Sequence, residues 1–262
     1  MNRKSFIKRF IQDFYLVIIM VFLYAPIATM AVLSFNSSKS RTQWGSFTTR
    51  WYGELFSSST IMAALYNTLL IAFLSSLIAV IIGTAAAIAI NSMNRIPRSV
   101  LMGITNIPML NADIVTGISL MLAFIAFRFS LGFQTILISH ITFNIPYVIL
   151  SVMPKLKQTD KSTYEAAMDL GATSVSAFFK VVFPDILPGV LSGFLLAFTM
   201  SLDDFIITHF TRGAGINTLS TLIYSEVRRG IRPSMYALST IIFITVLVLL
   251  LITNFAPKRK KQ

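Results

Sequence analysis

Six apolar stretches recur along this chain, at about 14–35, 66–90, 99–127, 131–153, 186–210 and 235–256. Each meets or exceeds the roughly 20 residues that a helix needs to cross the hydrocarbon of a bilayer. No other feature constrains the fold so tightly. Backbone inside lipid must satisfy its own hydrogen bonds, and a run of this kind does so as a helix. The reading is an all-α integral membrane protein with one domain over residues 1–262. Composition agrees: only 12% of residues are charged, against about 25% in soluble domains. The first stretch is too long for the core of a cleaved signal peptide and reads as a retained span. The chain has no cysteine, which excludes a disulfide framework or a thiolate metal site.

The net charge of +12 suggests nucleic acid until the cations are placed. Arg3, Lys4, Lys8 and Arg9 precede the first span, and Lys258, Arg259, Lys260 and Lys261 follow the last. Arg95 and Arg98 lie between spans two and three, and Lys155, Lys157, Lys161 and Lys180 between spans four and five. Fewer cations fall in the alternate loops. Lys and Arg concentrate on the cytoplasmic side, so both termini are expected inside, as an even number of spans requires. The basic charge is a topology signal, and no nucleic-acid partner is expected.

The loop after span four reads KLKQTDKSTYEAAMDLGATSVSAFFKVVFPDILPGV. Ser162-x-x-Glu165 has the form of a capping box. Gly171 suits a helix C-cap, where a left-handed backbone is needed. Ser174 is placed to cap a second short helix carrying Val175, Phe178, Phe179 and Val182 on one side. Pro184 and Pro188 are expected to stop that helix before span five. Ala166 and Ala167 leave room for a partner to approach. The alternatives are a Glu165 that only caps, or a helix-turn-helix DNA reader. The latter lacks the positive footprint that DNA requires, since Glu165 and Asp169 offset the local lysines.

Glu165-Ala166-Ala167, then Gly171, then Val181-Val182-Phe183-Pro184 resembles the Glu-Ala-Ala loop of bacterial ABC importer permeases, with Val and Phe where that pattern has Ile and Leu. The resemblance implies a six-helix type I importer permease fold. It also implies that Glu165, Ala166, Ala167, Gly171 and Pro184 belong to a coupling element docked on an ATPase subunit. No Gly-x-x-x-x-Gly-Lys-Ser/Thr phosphate loop occurs here, so ATP and its Mg²⁺ are expected on a separate pair of ATPase chains, with no cofactor on this one.

Three acids interrupt the apolar runs: Asp113 in NIPMLNADIVTGISL, and Asp203 and Asp204 in FTMSLDDFIITHF. A charge at a helix centre costs roughly 2.5–3.5 kcal/mol on insertion scales, so such acids face a bundle interior or an aqueous path. A rise of about 1.5 Å per residue puts the pair about 26 Å, and Asp113 about 21 Å, from the inner end of their spans. Both sites are therefore expected to line one cavity open to the outside. Successive helical residues diverge by about 100°, so only one of Asp203 and Asp204 is expected to face it. Pro108 is a candidate break in span three, with Asn111 or Asp113 as a cap for its second half. Ser201, one turn before Asp204, is a further ligand candidate or an ordinary helix residue.

Carboxylates on an aqueous path suit a cationic substrate. Aliphatic polyamines carry separated ammonium groups, and aromatic faces bind such cations. Trp44 in the outer loop is either such a face or an interfacial anchor, whereas Trp51 and Tyr52 read as interfacial anchors. His140 and His209 read as hydrogen-bonded structural residues and not as metal ligands, and no His-Glu-x-x-His or Gly-x-Ser-x-Gly pattern occurs. The segments SFNSSKSRTQWGSFTTRWY, ADIVTGISL, SHITFNIPYV and SLDDF are similar to those of spermidine/putrescine importer permeases. That resemblance implies a second homologous permease, an ATPase dimer and an extracytoplasmic polyamine-binding protein as partners. It also implies that Asp113, Asp203, Asp204 and Trp44 lie on the substrate path. The rivals are a permease of the same class for another solute, and a membrane enzyme or proton-coupled secondary transporter.

Overall fold

The computed structural model describes residues 3–40 and 42–255. In chain order the helices are α1 Arg3–Leu33, α2 Arg50–Ser57, α3 Ser59–Ser92, α4 Arg95–Leu110, α5 Asp113–Ala126, α6 Phe133–Gln158, α7 Lys161–Asp169 and α8 Ser174–Ala177. A π-helical turn, Phe178–Val182, leads into α9 Phe183–Asp203, followed by α10 Ile206–Thr211, α11 Leu219–Arg229 and α12 Pro233–Phe255. The described residues are helical apart from loops and one antiparallel bridge, Asn36 to Phe47.

Four of these stretches are long and apolar enough to cross a membrane: 13–33, α3, α6 and 174–203. A fifth span is formed if α4 and α5, bent by 102°, count as one broken crossing. The apolar part of α12, Pro233–Thr245, is shorter. The basic cluster Lys258 to Lys261 lies outside the described residues.

The contacts group the chain into two compact units, one of the described residues up to Met62 with those from Ile223 onward, the other Ala63–Leu222. In the first, α12 packs on α1 and α2. Trp51 is buried, and its indole N–H donates to the Asn36 carbonyl at 2.7 Å. The Tyr52 hydroxyl pairs with Ser34 Oγ at 2.8 Å. This corrects the expectation of an interfacial anchor for Trp51, which is the core of a folded loop. Trp44 is 56% exposed.

In the second unit α6 and α9 form the most extensive helix pair, and α3 joins their core through Ala79, Ala87, Val148, Val152, Ile186 and Ala197. Small residues allow this approach. A Cβ on Gly83 of α3 would lie 2.8 Å from Val148, closer than real side chains come. Helices in lipid associate by such close packing, because lipid tails offer no hydrophobic drive.

The loop between α6 and α9 departs from expectation in three places. Asp160, not Ser162, caps α7, accepting the Ser162 N–H at 2.9 Å. Thr173, not Ser174, caps α8, accepting the Ser176 N–H. Pro184 and Pro188 do not stop the helix: α8 runs through the π turn into α9. Pro184 directly follows the π turn, inside this continuous helical path. Gly171 behaves as the sequence predicts, with φ +86°. The bonds Gly171 N–H to Met168 O and Ala172 N–H to Ala167 O close α7 in a Schellman motif.

Candidate functional site

Two helix breaks build the site. α4 ends at Leu110 and α5 starts at Asp113, across Asn111 and Ala112. Pro108 lies inside α4, so the break comes three residues after the proline. Neither Asn111 nor Asp113 caps α5 by a side-chain hydrogen bond: Ala112 holds the cap position and Asp113 begins the helix. A carboxylate there still favours the positive end of the helix dipole. The second break separates α9 from α10 at Asp204 and Phe205, with Asp204 extended at ψ 125°.

The breaks lie side by side. One turn beyond Asp113, a Cβ on Gly117 would meet Phe210 at 3.2 Å and the Ile207 Cα at 3.4 Å. Asp113 starts α5 one turn before Gly117, and Asp203 ends α9 just before the break that leads to Ile207, so the two acids flank the contact between α5 and α10. Asp203 lies within reach of the Asp113 charge. Both are exposed. Tyr147 on α6, half-buried, also lies within reach of the Asp113 charge; the sequence reading did not single it out.

Asp204 has the opposite environment. Its side chain is 9% exposed. The carboxylate accepts the N–H of Ile207 at 3.2 Å, the N–H of Thr208 at 2.8 Å and the Thr208 hydroxyl at 2.8 Å, which makes it the cap of α10. Its carbonyl accepts the Ser220 hydroxyl at 2.7 Å. His140 of α6, 1% exposed, stands 3.4 Å from the carboxylate. Its Nε2 is 2.9 Å from Thr208 Oγ1, and its Nδ1 is 2.6 Å from Ser201 Oγ. Ser201 Oγ also meets Ser75 Oγ of α3 at 3.1 Å. Thr208 gives its proton to Asp204, so it accepts from His140 Nε2–H. Nδ1 then accepts from Ser201, whose oxygen is left to accept from Ser75. Every donor finds an acceptor, as buried polar groups require.

The structure thus divides the acids. Asp113 and Asp203 are presented at the surface of this unit, while Asp204 and Ser201 are bound within it. Trp44 belongs to the other unit. His140 was expected to be hydrogen-bonded, and its partners lie 61 and 68 residues away, beyond the reach of any local pattern. Among the described residues no group of three or more His, Cys, Asp or Glu could hold a metal.

The loop is a second candidate surface. Glu165 and Ala166 of α7 are exposed, as are Gly171 and Pro184, and Ala167 is half-buried. Exposed apolar side chains surround them: Met168, Leu170, Val175 and Phe179. Phe178 and Val182 turn instead to a cavity of 440 Å³ shared with Asn91, Asp160, Tyr164 and Glu165. The four apolar residues of 175–182 therefore divide between two faces, contrary to the single face expected, because the π turn shifts the register.

Residues 79–261 match the family of the binding-protein-dependent transport system inner membrane component. The chain belongs to that family. Its members are transport permeases, as the Glu165 loop implies, and the matched span holds that loop and all three acids. The putrescine transport system permease protein PotI of Escherichia coli is 40% identical over 228 residues, covering 84% of this chain and 81% of that protein. The spermidine/putrescine transport system permease protein PotC of Haemophilus influenzae is 34% identical over 253 residues, covering 97% and 98%. Among solved structures, a bacterial ABC transporter that imports alginate matches with a TM-score of 0.71 over 99% of this chain and 98% of that one, at 17% identity. The MetNI methionine ABC transporter matches with a TM-score of 0.58 over 74% and 93%, at 19% identity. These likenesses establish the ABC importer permease fold.

Proposed function

We propose that this chain is one of two homologous permeases in an ATP-driven importer of polyamines. The observation that carries the substrate class is the placement of Asp113 and Asp203. They are exposed, near one another and at two adjoining helix breaks, in a chain whose relatives are named for putrescine and spermidine transport. Two carboxylates on one surface favour a substrate with separated ammonium groups. Binding to them must be moderate, since a site that holds its cation tightly does not release it. Trp44, an exposed aromatic of the outer loop, is proposed as a further residue that the substrate meets.

In this reading the chain forms one permease domain that crosses the inner membrane six times, with α12 as the sixth crossing and both termini in the cytoplasm. An ATPase dimer carrying ATP and Mg²⁺ docks on the surface of Glu165, Ala166, Ala167, Gly171 and Pro184. The exposed apolar side chains of that loop support a protein partner there. A polyamine-binding protein delivers substrate on the other side. ATP binding closes the ATPase pair and turns the path outward; hydrolysis returns it.

The test is uptake of labelled putrescine and spermidine in transport-deficient cells expressing the chain with its partner subunits. ATPase-dependent uptake is expected, and it should fall at least tenfold in Asp203→Asn. An assembled complex that hydrolyses ATP but moves neither amine would overturn the substrate assignment and leave a permease for another solute.

A further inference from the structure

The His140 side chain joins both halves of the broken helix. Ser201, bonded to Nδ1, lies in the last turn of α9, and Thr208, bonded to Nε2, lies in the first turn of α10. Between them the helical hydrogen bonding is interrupted at Asp204 and Phe205. The angle of the break is therefore set by side chains. Asp204 caps α10, Ser220 holds the Asp204 carbonyl, and the imidazole spans the gap. All of these groups are buried or half-buried, and the ring itself is fixed in α6 and backed by Ser75 of α3 through Ser201.

None of these bonds is made by Asp203, which is the last residue of α9, directly before the break. From the bridge across Ser201 and Thr208 we infer that His140 is a positioning residue for transport: it holds Asp204 inward as a cap and thereby directs Asp203 outward beside Asp113. The inference rests on the polyamine path proposed above, and it makes a claim about geometry that stands apart from substrate identity. A ring that only filled space would be replaceable by an apolar side chain of similar size. A ring that sets the break is replaceable only by a group that can accept from Ser201 and donate toward Thr208.

Two measurements test it. The chain has no native cysteine, so Asp203→Cys provides a single thiol in the permease. In the assembled transporter its labelling by a membrane-impermeant maleimide should slow at least fivefold when His140→Leu is added. Thr208→Val, which keeps the side-chain shape and removes the hydroxyl, should slow it likewise. His140→Gln, which retains an acceptor and a donor, should restore most of the rate. Equal labelling in all four backgrounds would overturn the inference whatever the substrate is.

The second measurement is a double-mutant cycle on polyamine uptake at matched assembly. His140→Leu should cost about tenfold alone and less than about twofold in an Asp203→Asn background, because residues that act through one another are not additive. Effects that multiply would show His140 acting independently of Asp203. Absence of amine uptake by the unmodified complex would instead count against the substrate class, with the labelling result still deciding the role of His140.

Discussion

Asp203 and Asp204 are adjacent in sequence, yet Asp203 is exposed beside Asp113 while Asp204 lies 3.4 Å from the buried His140 and caps the next helix. The two should fail differently when neutralised. Asp204→Asn keeps one accepting oxygen and sets an NH2 in place of the other, so either the Ile207 N–H or the Thr208 N–H and hydroxyl lose their acceptor. Leaving buried donors unpaired costs about 1–3 kcal/mol. The expected result is a lower yield of assembled complex and a lower unfolding midpoint in detergent. Asp203→Asn should leave both unchanged.

Gly117 sets the contact between the two broken helices. A Cβ there approaches Phe210 and the Ile207 backbone within 3.2–3.4 Å, so Gly117→Ala should be tolerated with a small shift. Gly117→Val overfills the contact, which typically costs about 1–3 kcal/mol, and should separate Asp113 from Asp203. Uptake in the two variants, compared at equal expression, distinguishes steric displacement from a simple loss of flexibility.

At Gly171 the backbone, not space, is limiting: φ is +86° and nothing lies within 4 Å of an added Cβ. A left-handed residue with a Cβ costs roughly 1–2 kcal/mol, and Asn tolerates it best. Gly171→Val should weaken ATPase docking, seen as reduced ATPase activity stimulated by the binding protein. Gly171→Asn should retain most of that activity.

Asp160 is held below the ordinary carboxylate range by the N–H of Ser162. A depressed folded pKa contributes stability above the unfolded value near 3.9 and loses it as pH falls through the folded value. Capping of α7 should therefore be constant from about pH 5 to 8. Coupled ATPase activity in Asp160→Ala should be reduced by the same factor throughout that range, whereas Asp160→Ser, another good cap, should be close to the unmodified chain.

The chain has two tryptophans, in contrasting places. With Trp44→Phe, the remaining emission from Trp51 should be blue-shifted and resist aqueous quenchers. With Trp51→Phe, the remaining Trp44 should be readily quenched. Trp51→Phe also removes the bond to the Asn36 carbonyl and should lower stability by about 0.5–1.5 kcal/mol, read from thermal unfolding.

What the sequence disclosed depended on the range of each signal. The long apolar helices and the loop are written in runs of 20 residues and in a motif of fixed spacing; four of the six expected spans stand as single helices of crossing length, the third is a bent pair and the apolar part of the sixth is shorter. The break in span three carried a local mark in Pro108, but it fell at Asn111, where the chain turns by 102°. The break in span five carries no proline or glycine. Its only local mark is an acid followed by the N–H groups three and four residues on, and the apolar run masked it. The assignment of Asp203 outward and Asp204 inward was not legible, because it depends on a histidine in another helix. The capping shifts, by two residues to Asp160 and by one to Thr173, are of the kind expected where several Ser, Thr and Asp compete for one role.

The helical path from Ser174 through the π turn to Asp203 is 30 residues long, about 45 Å at 1.5 Å per residue. It contains no loop. Its two ends are the apolar surface around Val175 and the acid at the second break. The candidate docking surface and the candidate substrate site therefore stand on one continuous rod. The wide turn at Phe178–Val182 is the one departure from α-helical winding along its described length, and it lies close to the docking end.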